Sequence, residues 1–581
     1  MIHLTHNALK VLESRYLLKN NEGEFTETPE QLFERVAKHM AKAELIYSDK
    51  SAAEKWETVF YEMMSKLYFL PNSPTLMNAG LPLNQLSACF VLPVGDSIEA
   101  IFTSLKNTAL IQQSGGGTGF NFSQLRHKGD FIYTTTSNSS GPIAFMKIFD
   151  AATENIKQGG KRRGANMGIL NIDHPDVEEF ITVKKEEGVL SNFNISIGMY
   201  DAFMKAMLND EKWQLKDPNT KEVVKEVSAK ELWNKIITNA WASGDPGMVF
   251  LDTINATNPT PQVGEITCTN PCGEVPLLPY EACNLGSIDV AKFYNKETTD
   301  INWDHLGTIV EHSVRFLDNV IDMNNYIIPE IKAMVRGNRK IGLGVMGWAD
   351  LLIKLEIPYA SDKAIVLGEK LMKFISDRSN QASQKLAEQR GVFKNWDKSI
   401  YAPKTHMRNA TRTSIAPTGT ISIIAGTSSS IEPNFALAIH RENVLNNESL
   451  FELNENFVDY LKENNLYSEE VINEVKLNGS VGSTDLPEHV KQLFKTSLEI
   501  EPSWHIKHQV AFQKYTDNAV SKTINLPNEA TVEDVGNAYL MAWKEKAKGV
   551  TIYRYGSKTA QVLKTGITES ENQGSCKVCA T

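Results

Sequence analysis

Thr267-Cys268-Thr269-Asn270-Pro271-Cys272-Gly273-Glu274-Val275-Pro276, followed closely by Ala282-Cys283-Asn284-Leu285-Gly286-Ser287, gathers three of the chain's six cysteines. A carboxylate stands two positions after a thiol, and Pro and Gly punctuate the stretch, so it reads as a loop that presents side chains rather than as a regular element. Zinc would ask for a second closely spaced Cys pair or a His pair, and neither accompanies Cys268 and Cys272. Nothing at the N-terminus reads as a signal peptide, and thiols in a reducing compartment stay reduced unless they cycle, which argues against a structural disulfide. Thiols that carry out chemistry are the reading left.

Within this stretch, Asn270-Pro271-Cys272-Gly273-Glu274 resembles the active-site loop of ribonucleotide reductases, in particular of their adenosylcobalamin-dependent (class II) catalytic chains. Similar blocks recur in family order from about Pro71 to Tyr553, most of the chain. The resemblance implies a ten-stranded α/β barrel, two five-stranded halves packed antiparallel, with the Cys272 loop threaded into its centre. Alternation of helical and strand patterns reaches by itself only a large α/β protein. The expected organisation is a helical region over residues 1–65, a barrel with its effector site over 66–555, and a flexible tail over 556–581 that carries a Cys pair.

A chain of 581 residues can bury a large core. Apolar residues at 41 % and charged residues at 22 % are ordinary globular values. No run approaches the roughly 18 to 20 apolar residues of a membrane span, so a soluble cytoplasmic protein is expected. The net charge of −10 argues against a binder of nucleic-acid polymers, which would show a basic field. Nucleotide phosphates must then be held locally, by backbone N–H groups and a few placed side chains.

Along the chain, Thr28-Pro29-Glu30-Gln31 is a capping box that opens a packing helix with Leu32, Val36 and Met40 on one face. Pro71-Asn72-Ser73-Pro74-Thr75 is a loop, and residues 86–92 read as a buried strand bearing Cys89. By itself a Cys in an apolar strand is inert core. The resemblance instead makes Cys89 one member of the redox pair that reduces the substrate, with Cys283 as its partner. It also matches Ser73, Ala88, Cys89 and Gly117 to substrate positions, and Asp96, Ser97, Ile98 and Arg126 to a separate effector site. The run Ser114-Gly115-Gly116-Gly117-Thr118-Gly119 would let a backbone approach a ligand closely. The basic stretch around Lys161 and Arg162, in the family a loop between effector and substrate, is expected to transmit base identity.

Gly342-Leu343-Gly344-Val345-Met346-Gly347 satisfies G-x-G-x-x-G, but residues 334–340 before it are charged and polar where a dinucleotide site needs a buried strand. Residues 409–416 are strand-like and run into Pro417-Thr418-Gly419-Thr420-Ile421-Ser422, a turn rich in N–H and hydroxyl donors that suits a phosphate. In the family, substrate phosphates bind at positions matching Thr418, Gly419, Thr420, Ile421 and Ser422. His505 and His508 share a helical face without accompanying ligands and are expected as ordinary histidines. Residues 548–556 read as a last strand, and the chain ends in Cys576-Lys577-Val578-Cys579 and two further residues.

The chemistry the resemblance implies uses Cys272 as a thiyl that takes the 3′-hydrogen, Glu274 as general base for the 3′-hydroxyl, and Asn270 as a hydrogen-bonding partner of the sugar. Pro271 and Gly273 line the same loop. Cys89 and Cys283 close to a disulfide, which requires the fold to bring their Cα atoms within about 7 Å. Cys576 and Cys579 then reset that disulfide by thiol exchange, with a thioredoxin-like reductant behind them. Cys268 receives no role. Substrates are ribonucleoside di- or triphosphates, effectors are deoxynucleotides or ATP, a homodimer is expected, and no metal is held directly by the protein. Class I chains receive their radical through two adjacent tyrosines, but here Tyr553 is followed by Arg554. Adenosylcobalamin is therefore the expected cofactor. A class I-type chain with a radical-generating partner, and a non-catalytic nucleotide-binding regulator, are the competing readings.

Overall fold

The computed structural model describes residues 2–132, 136–158, 162–445, 448–557 and 563–565, without the side chains of 157–158, 162–163, 439–452 and 563–565. Three helices come first: α1 (His6–Arg15), α2 (Pro29–Ala41) and α3 (Lys50–Ser65). The capping box forms as its sequence predicts: Thr28 accepts from the Gln31 N–H, and the Gln31 side chain accepts from the Thr28 N–H. Leu32, Val36 and Met40 are fully buried.

The strands of the main sheet are β1 (Phe69–Pro71), β2 (Cys89–Val91), β3 (Gly117–Asn121), β4 (Asn166–Asn171), β5 (Phe193–Met199), β6 (Gly247–Phe250), β7 (Ala282–Asp289), β8 (Ile341–Met346), β9 (Thr523–Leu526) and β10 (Gly549–Arg554), of which all but β1 build the barrel. Strands β2, β3, β4, β5 and β6 pair in that order, all parallel, and form one half. In the other half β7 pairs parallel with β8, and β9 with β10. The two halves meet at antiparallel seams, β2 on β7 and β6 on β10. β1 pairs antiparallel with the far end of β7.

The stretch 409–416 fills the gap between β8 and β9. It is extended but pairs irregularly, through single parallel bridges, Thr413 to Leu343 and Ile415 to Val520, and a few further backbone bonds such as Ile341 N–H to Thr411 O (3.1 Å) and Asn518 N–H to Thr413 O (3.1 Å). A regular ladder does not form because the Asp517 carboxylate takes the N–H groups of Arg412 (2.7 Å) and Thr413 (3.2 Å). With this segment the second half also counts five strands and the barrel closes.

Residues 342–346 of the glycine motif lie inside β8, whose six residues are all buried, and Gly347 follows it. A Cβ at Gly344 would come within 2.4 Å of the Ser414 carbonyl oxygen, so these glycines admit the neighbouring segment. His505 and His508 are core residues of the helix Pro502–Gln513, with ring nitrogens bonded to Ser497 O and Lys522 Nζ and to Tyr359 O and Trp348 Nε1. Leu563–Thr565, in the stretch expected to be a flexible tail, is instead a short strand paired with residues 439–441. Among the described residues no helix is long and apolar enough to cross a membrane.

Candidate active site

The loop 270–275 leaves the barrel wall between the paired two-residue strands Cys268–Thr269 and Pro276–Leu277. Glycines on β3 make room for it. A Cβ at Gly119 would lie 1.8 Å from the Thr269 oxygen, and one at Gly117 2.9 Å from Pro271 Cγ. Gly116 likewise makes way for Phe90, 2.5 Å from its missing Cβ. The glycine run expected to admit a ligand thus first admits the protein's own chain.

Both barrel halves hold the loop. Asn194 Nδ2 donates to Pro271 O (2.8 Å), while Ser414 Oγ and the Ala519 N–H donate to Glu274 O (2.8 Å each). The tip turns at Gly273, whose φ of +81° suits glycine. Asn270 Oδ1 accepts from the Val275 N–H (3.0 Å) and closes the turn.

Asn270, Pro271, Cys272 and Glu274 line a cavity of about 250 Å³. Ser73, Ala88, Cys89 and Gly117 form one wall, and Thr418, Gly419, Thr420 and Ile421 another. Two expected residues stand apart from it. Gly273 is at the turn, and Ser422 is buried with its Oγ 2.9 Å from Ser429 Oγ. Thr418 has a φ of +56°, and its Oγ1 accepts from the Ser430 N–H (2.7 Å).

Cys272 is exposed, whereas Cys89, Cys268 and Cys283 are buried. Cys89 on β2 is the register partner of Cys283 on β7. Directly opposed residues of an antiparallel pair have Cα atoms about 4.5 to 5.5 Å apart, within reach of a disulfide. Asn270 Nδ2 donates to Cys89 Sγ (3.1 Å), and Cys89 Sγ lies 4.0 Å from Glu274 Oε1 as a donor. Burial pushes the Glu274 carboxyl up to about 7, and its Oε2 has no partner. Burial likewise pushes the Cys283 and Cys268 thiols up. The exposed Cys272 thiol, the buried Glu274 carboxyl and Cys89 therefore line one cavity, with Cys283 opposed to Cys89 behind it.

Among the lining residues not singled out from sequence, two carry buried polar atoms without a partner. Asn72 caps the helix α4 (Ser73–Asn78), and its Nδ2 is buried without a partner. Gln112, near the end of α5 (Ile98–Gln113), carries a buried, unpartnered Oε1. The Asx-cap pattern at Asn72 was a legible signal. Gln112 offered none, because a polar residue in an amphipathic run reads as solvated surface.

The expected effector residues gather at the opposite end of α5. Asp96 accepts from the Arg126 N–H (3.0 Å) and Nε (2.9 Å), Ser97 caps the helix through the Ala100 N–H (3.1 Å), and Ile98 is 63 % exposed. Lys161, Cys576 and Cys579 lie outside the described residues, and of Arg162 only the backbone, paired with Gln158, is described. Among the described residues, one cluster is compact enough for a metal ion, His127, Asp130 and Asp217. It neighbours Arg126 and is not among the groups that line the cavity. Arg554 follows Tyr553 with its Nε donating to Trp241 O (3.0 Å) and its guanidinium 4.2 Å from the Trp241 ring centre.

The barrel-domain model of ribonucleotide reductases matches residues 87–406 and 402–553, and the all-alpha-domain model of the same family matches residues 2–84. The vitamin B12-dependent ribonucleoside-diphosphate reductase of Thermoplasma acidophilum is 50 % identical, over 98 % of this chain and 81 % of its own. That of Mycobacterium tuberculosis is 46 % identical over 97 % and 81 %. Among solved structures, the class Id ribonucleotide reductase alpha subunit of Actinobacillus ureae superposes with a TM-score of 0.76 at 25 % identity, covering 95 % of this chain and 97 % of that one. The doubled five-stranded barrel, the loop through its centre and these matches along nearly the whole length agree: the chain belongs to the ribonucleotide reductase family.

Proposed function

We propose that the chain reduces ribonucleoside di- or triphosphates to 2′-deoxyribonucleotides by thiyl-radical chemistry, with adenosylcobalamin as cofactor. The observation that carries this reading is the single cavity in which exposed Cys272 lies beside Glu274 and beside Cys89, itself opposed to Cys283. A Cys272 thiyl takes the ribose 3′-hydrogen, and Glu274 accepts the 3′-hydroxyl proton, for which a value near neutrality is well placed. Asn270 orients the sugar and Cys89 together. The 2′-hydroxyl leaves as water, Cys89 and Cys283 supply two electrons and two protons by closing to a disulfide, and the Cys272 thiol returns its hydrogen to C3′, which restores the thiyl. The turn 418–421 receives the phosphates.

The loop tip suits a bulky cofactor, since Cys272 is exposed and a Cβ at Gly273 would meet nothing within 4 Å. When bound there, adenosylcobalamin supplies the abstraction of the hydrogen atom from the Cys272 thiol. Support for this class comes from the names of the two relatives above and from Arg554 at the relay position.

A deoxynucleotide or ATP would bind around Asp96, Ser97, Ile98 and Arg126. A tail pair, Cys576 and Cys579, would pass electrons from a thioredoxin-like reductant. A homodimer is supported by exposed apolar side chains on α5 and on α6 (Pro142–Asn155), which pack together: Ile98, Phe102 (46 % exposed) and Ile148 (40 % exposed). The cytoplasm, where such thiols stay reducible, is the expected location.

The test is reduction of cytidine diphosphate and triphosphate by the purified chain with dithiothreitol, with and without adenosylcobalamin and with no second protein. Cobalamin-dependent deoxycytidine product is expected. Product only on addition of a metal-containing partner subunit would overturn the cofactor class, and nucleotide binding without product under any of these conditions would favour a regulator.

A further inference from the structure

Behind the phosphate turn, residues 427–430 form a strap. Its Ser430 N–H donates to Thr418 Oγ1 (2.7 Å), its Ser429 Oγ meets Ser422 Oγ (2.9 Å), and its Thr427 N–H donates to Ser422 O (3.0 Å). On its other side the strap rests on two buried carboxyls, Asp289 at the end of β7 (1 % exposed) and Asp350 in the helix Trp348–Lys354 (4 % exposed). Thr427 Oγ1 lies 3.0 Å from Asp289 Oδ1 and 3.0 Å from Asp350 Oδ2.

Counting hydrogens decides what this arrangement contains. A hydroxyl has one hydrogen to donate, so it can satisfy one carboxylate oxygen and must accept from the other. The second contact therefore needs a hydrogen on a carboxyl. The remaining donors at these carboxyls are the backbone N–H groups of Ala291, to Asp289 Oδ1 (3.1 Å), and of Ser428, to Asp350 Oδ2 (2.6 Å), with the Ser428 hydroxyl beside Asp350, and none of them adds a hydrogen to the Thr427 contacts. The charged groups that face the pair are Lys292 on the side of Asp289 and Lys354 on the side of Asp350. Neither forms an ion pair with them, and Lys354 Nζ donates to Ala291 O (3.4 Å). Gly347, with a φ of +78°, closes the space: a Cβ there would come within 2.2 Å of Asp289 Oδ1 and 2.6 Å of Thr427 Oγ1.

We propose that Asp289 and Asp350 share one proton through Thr427, and that this shared proton clamps the strap that backs the phosphate turn. The three are positioning residues for nucleotide binding and touch no substrate. Burial acts in the same direction, pushing the Asp289 carboxyl up to about 7 and the Asp350 carboxyl upward. Losing the proton leaves two like charges in a closed space and a hydroxyl that can satisfy only one of them, so the strap lets go of Thr418 and Ser422. Asp289→Asn removes one of the two ionisable groups: its amide oxygen keeps the Ala291 N–H bond, the Thr427 hydroxyl donates to Asp350, and no second charge can develop.

The inference rests on the reading of turn 418–421 as the phosphate site, and the test separates the two. Dissociation constants of cytidine diphosphate are measured by calorimetry from about pH 6.5 to about pH 9 for the wild-type chain and Asp289→Asn. The wild-type to variant ratio is expected near one at the acid end and to rise toward the limit of about tenfold per pH unit that loss of one proton sets; taking a ratio cancels the ligand's own titration. Infrared difference spectra, wild type minus variant, should contain a protonated-carboxyl band that disappears at high pH. A ratio independent of pH, or no such band, overturns the shared proton. If Asp289→Asn does not fold, Asp350→Asn is measured in its place with the same expectation. Thr420→Ala tests the phosphate reading alone: unchanged affinity at every pH would overturn that reading, while the infrared band would still report on the proton.

Discussion

At the residue scale, Glu274 shows how one environment sets both chemistry and stability. It is 2 % exposed, and its Oε2 is unpartnered. Burial holds its carboxyl near 7 against an ordinary value of about 4.3. Between those values the native state keeps a proton that the unfolded chain releases. Its contribution to stability is therefore full below about pH 4, falls as pH rises to 7 and is flat above. Glu274→Gln removes that dependence. Relative to wild type it should be no more stable near pH 4 and more stable at pH 8, by on the order of 3 kcal/mol, as read from thermal unfolding at both pH values. The same variant should bind nucleotide and lose turnover by about 10²-fold or more, the scale of a general base. Retained turnover would remove Glu274 from the mechanism; equal thermal shifts at both pH values would remove the buried-acid account. Asn270, Cys272 and Glu274 were legible because they are adjacent in one loop. That Cys89 stands opposite Cys283 was reachable only through the family resemblance, because strand register across so long a separation is set by the whole barrel.

At the scale of elements, glycines carry packing that a local pattern does not reveal. Gly115, Gly116 and Gly117 line the cavity, yet Gly116, Gly117, Gly119 and Gly344 also each face a neighbouring segment of the chain. The cause is physical. A loop threaded through a barrel and a fifth strand that pairs irregularly both need close backbone contact, and sequence marks that need with the same residue as a phosphate site. The strand at 409–416 was legible, but its irregular pairing was not, because it depends on Asp517 about a hundred residues later. A contrast between two glycines tests this. A Cβ at Gly119 would collide with the Thr269 carbonyl, whereas a Cβ at Gly419 would meet nothing within 4 Å. Gly119→Ala should destabilise by roughly 1 to 3 kcal/mol or more, the range for overpacking, and displace the loop. Gly419→Ala should keep the wild-type melting temperature and raise KM for nucleotide. Equal melting temperatures for both variants would overturn the threading argument.

At the scale of the whole molecule, the N-terminal helices are joined to the barrel by a buried charge network. Glu44, fully buried, pairs with Arg315 (2.6 Å) and Arg390 (2.7 Å); Arg390 also pairs with Asp318 (2.8 Å), which Arg339 (2.8 Å) and Arg408 (3.3 Å) complete. Burial by itself would raise the Asp318 carboxyl, but Arg339, Arg408 and Arg390 outweigh it and hold the group well below the usual carboxylate range. A depressed carboxyl stabilises the fold at every pH above its unfolded value of about 3.9 and is lost only as pH falls toward its folded value. Asp318→Asn leaves three arginines around a neutral amide. It should cost about 3 to 5 kcal/mol at neutral pH, the scale for breaking a buried pair by removing one partner, and the gap to wild type should narrow below about pH 4. Because the network ties Glu44 to the barrel, limited proteolysis of Asp318→Asn should cut first in the N-terminal helical region. Differential scanning calorimetry in parallel should show whether one transition has become two. A variant as stable as wild type at pH 7 would show that the ion pairs only break even with their desolvation, and that the helices dock through apolar contacts such as Phe60 on Phe316, whose ring centres are 5.1 Å apart.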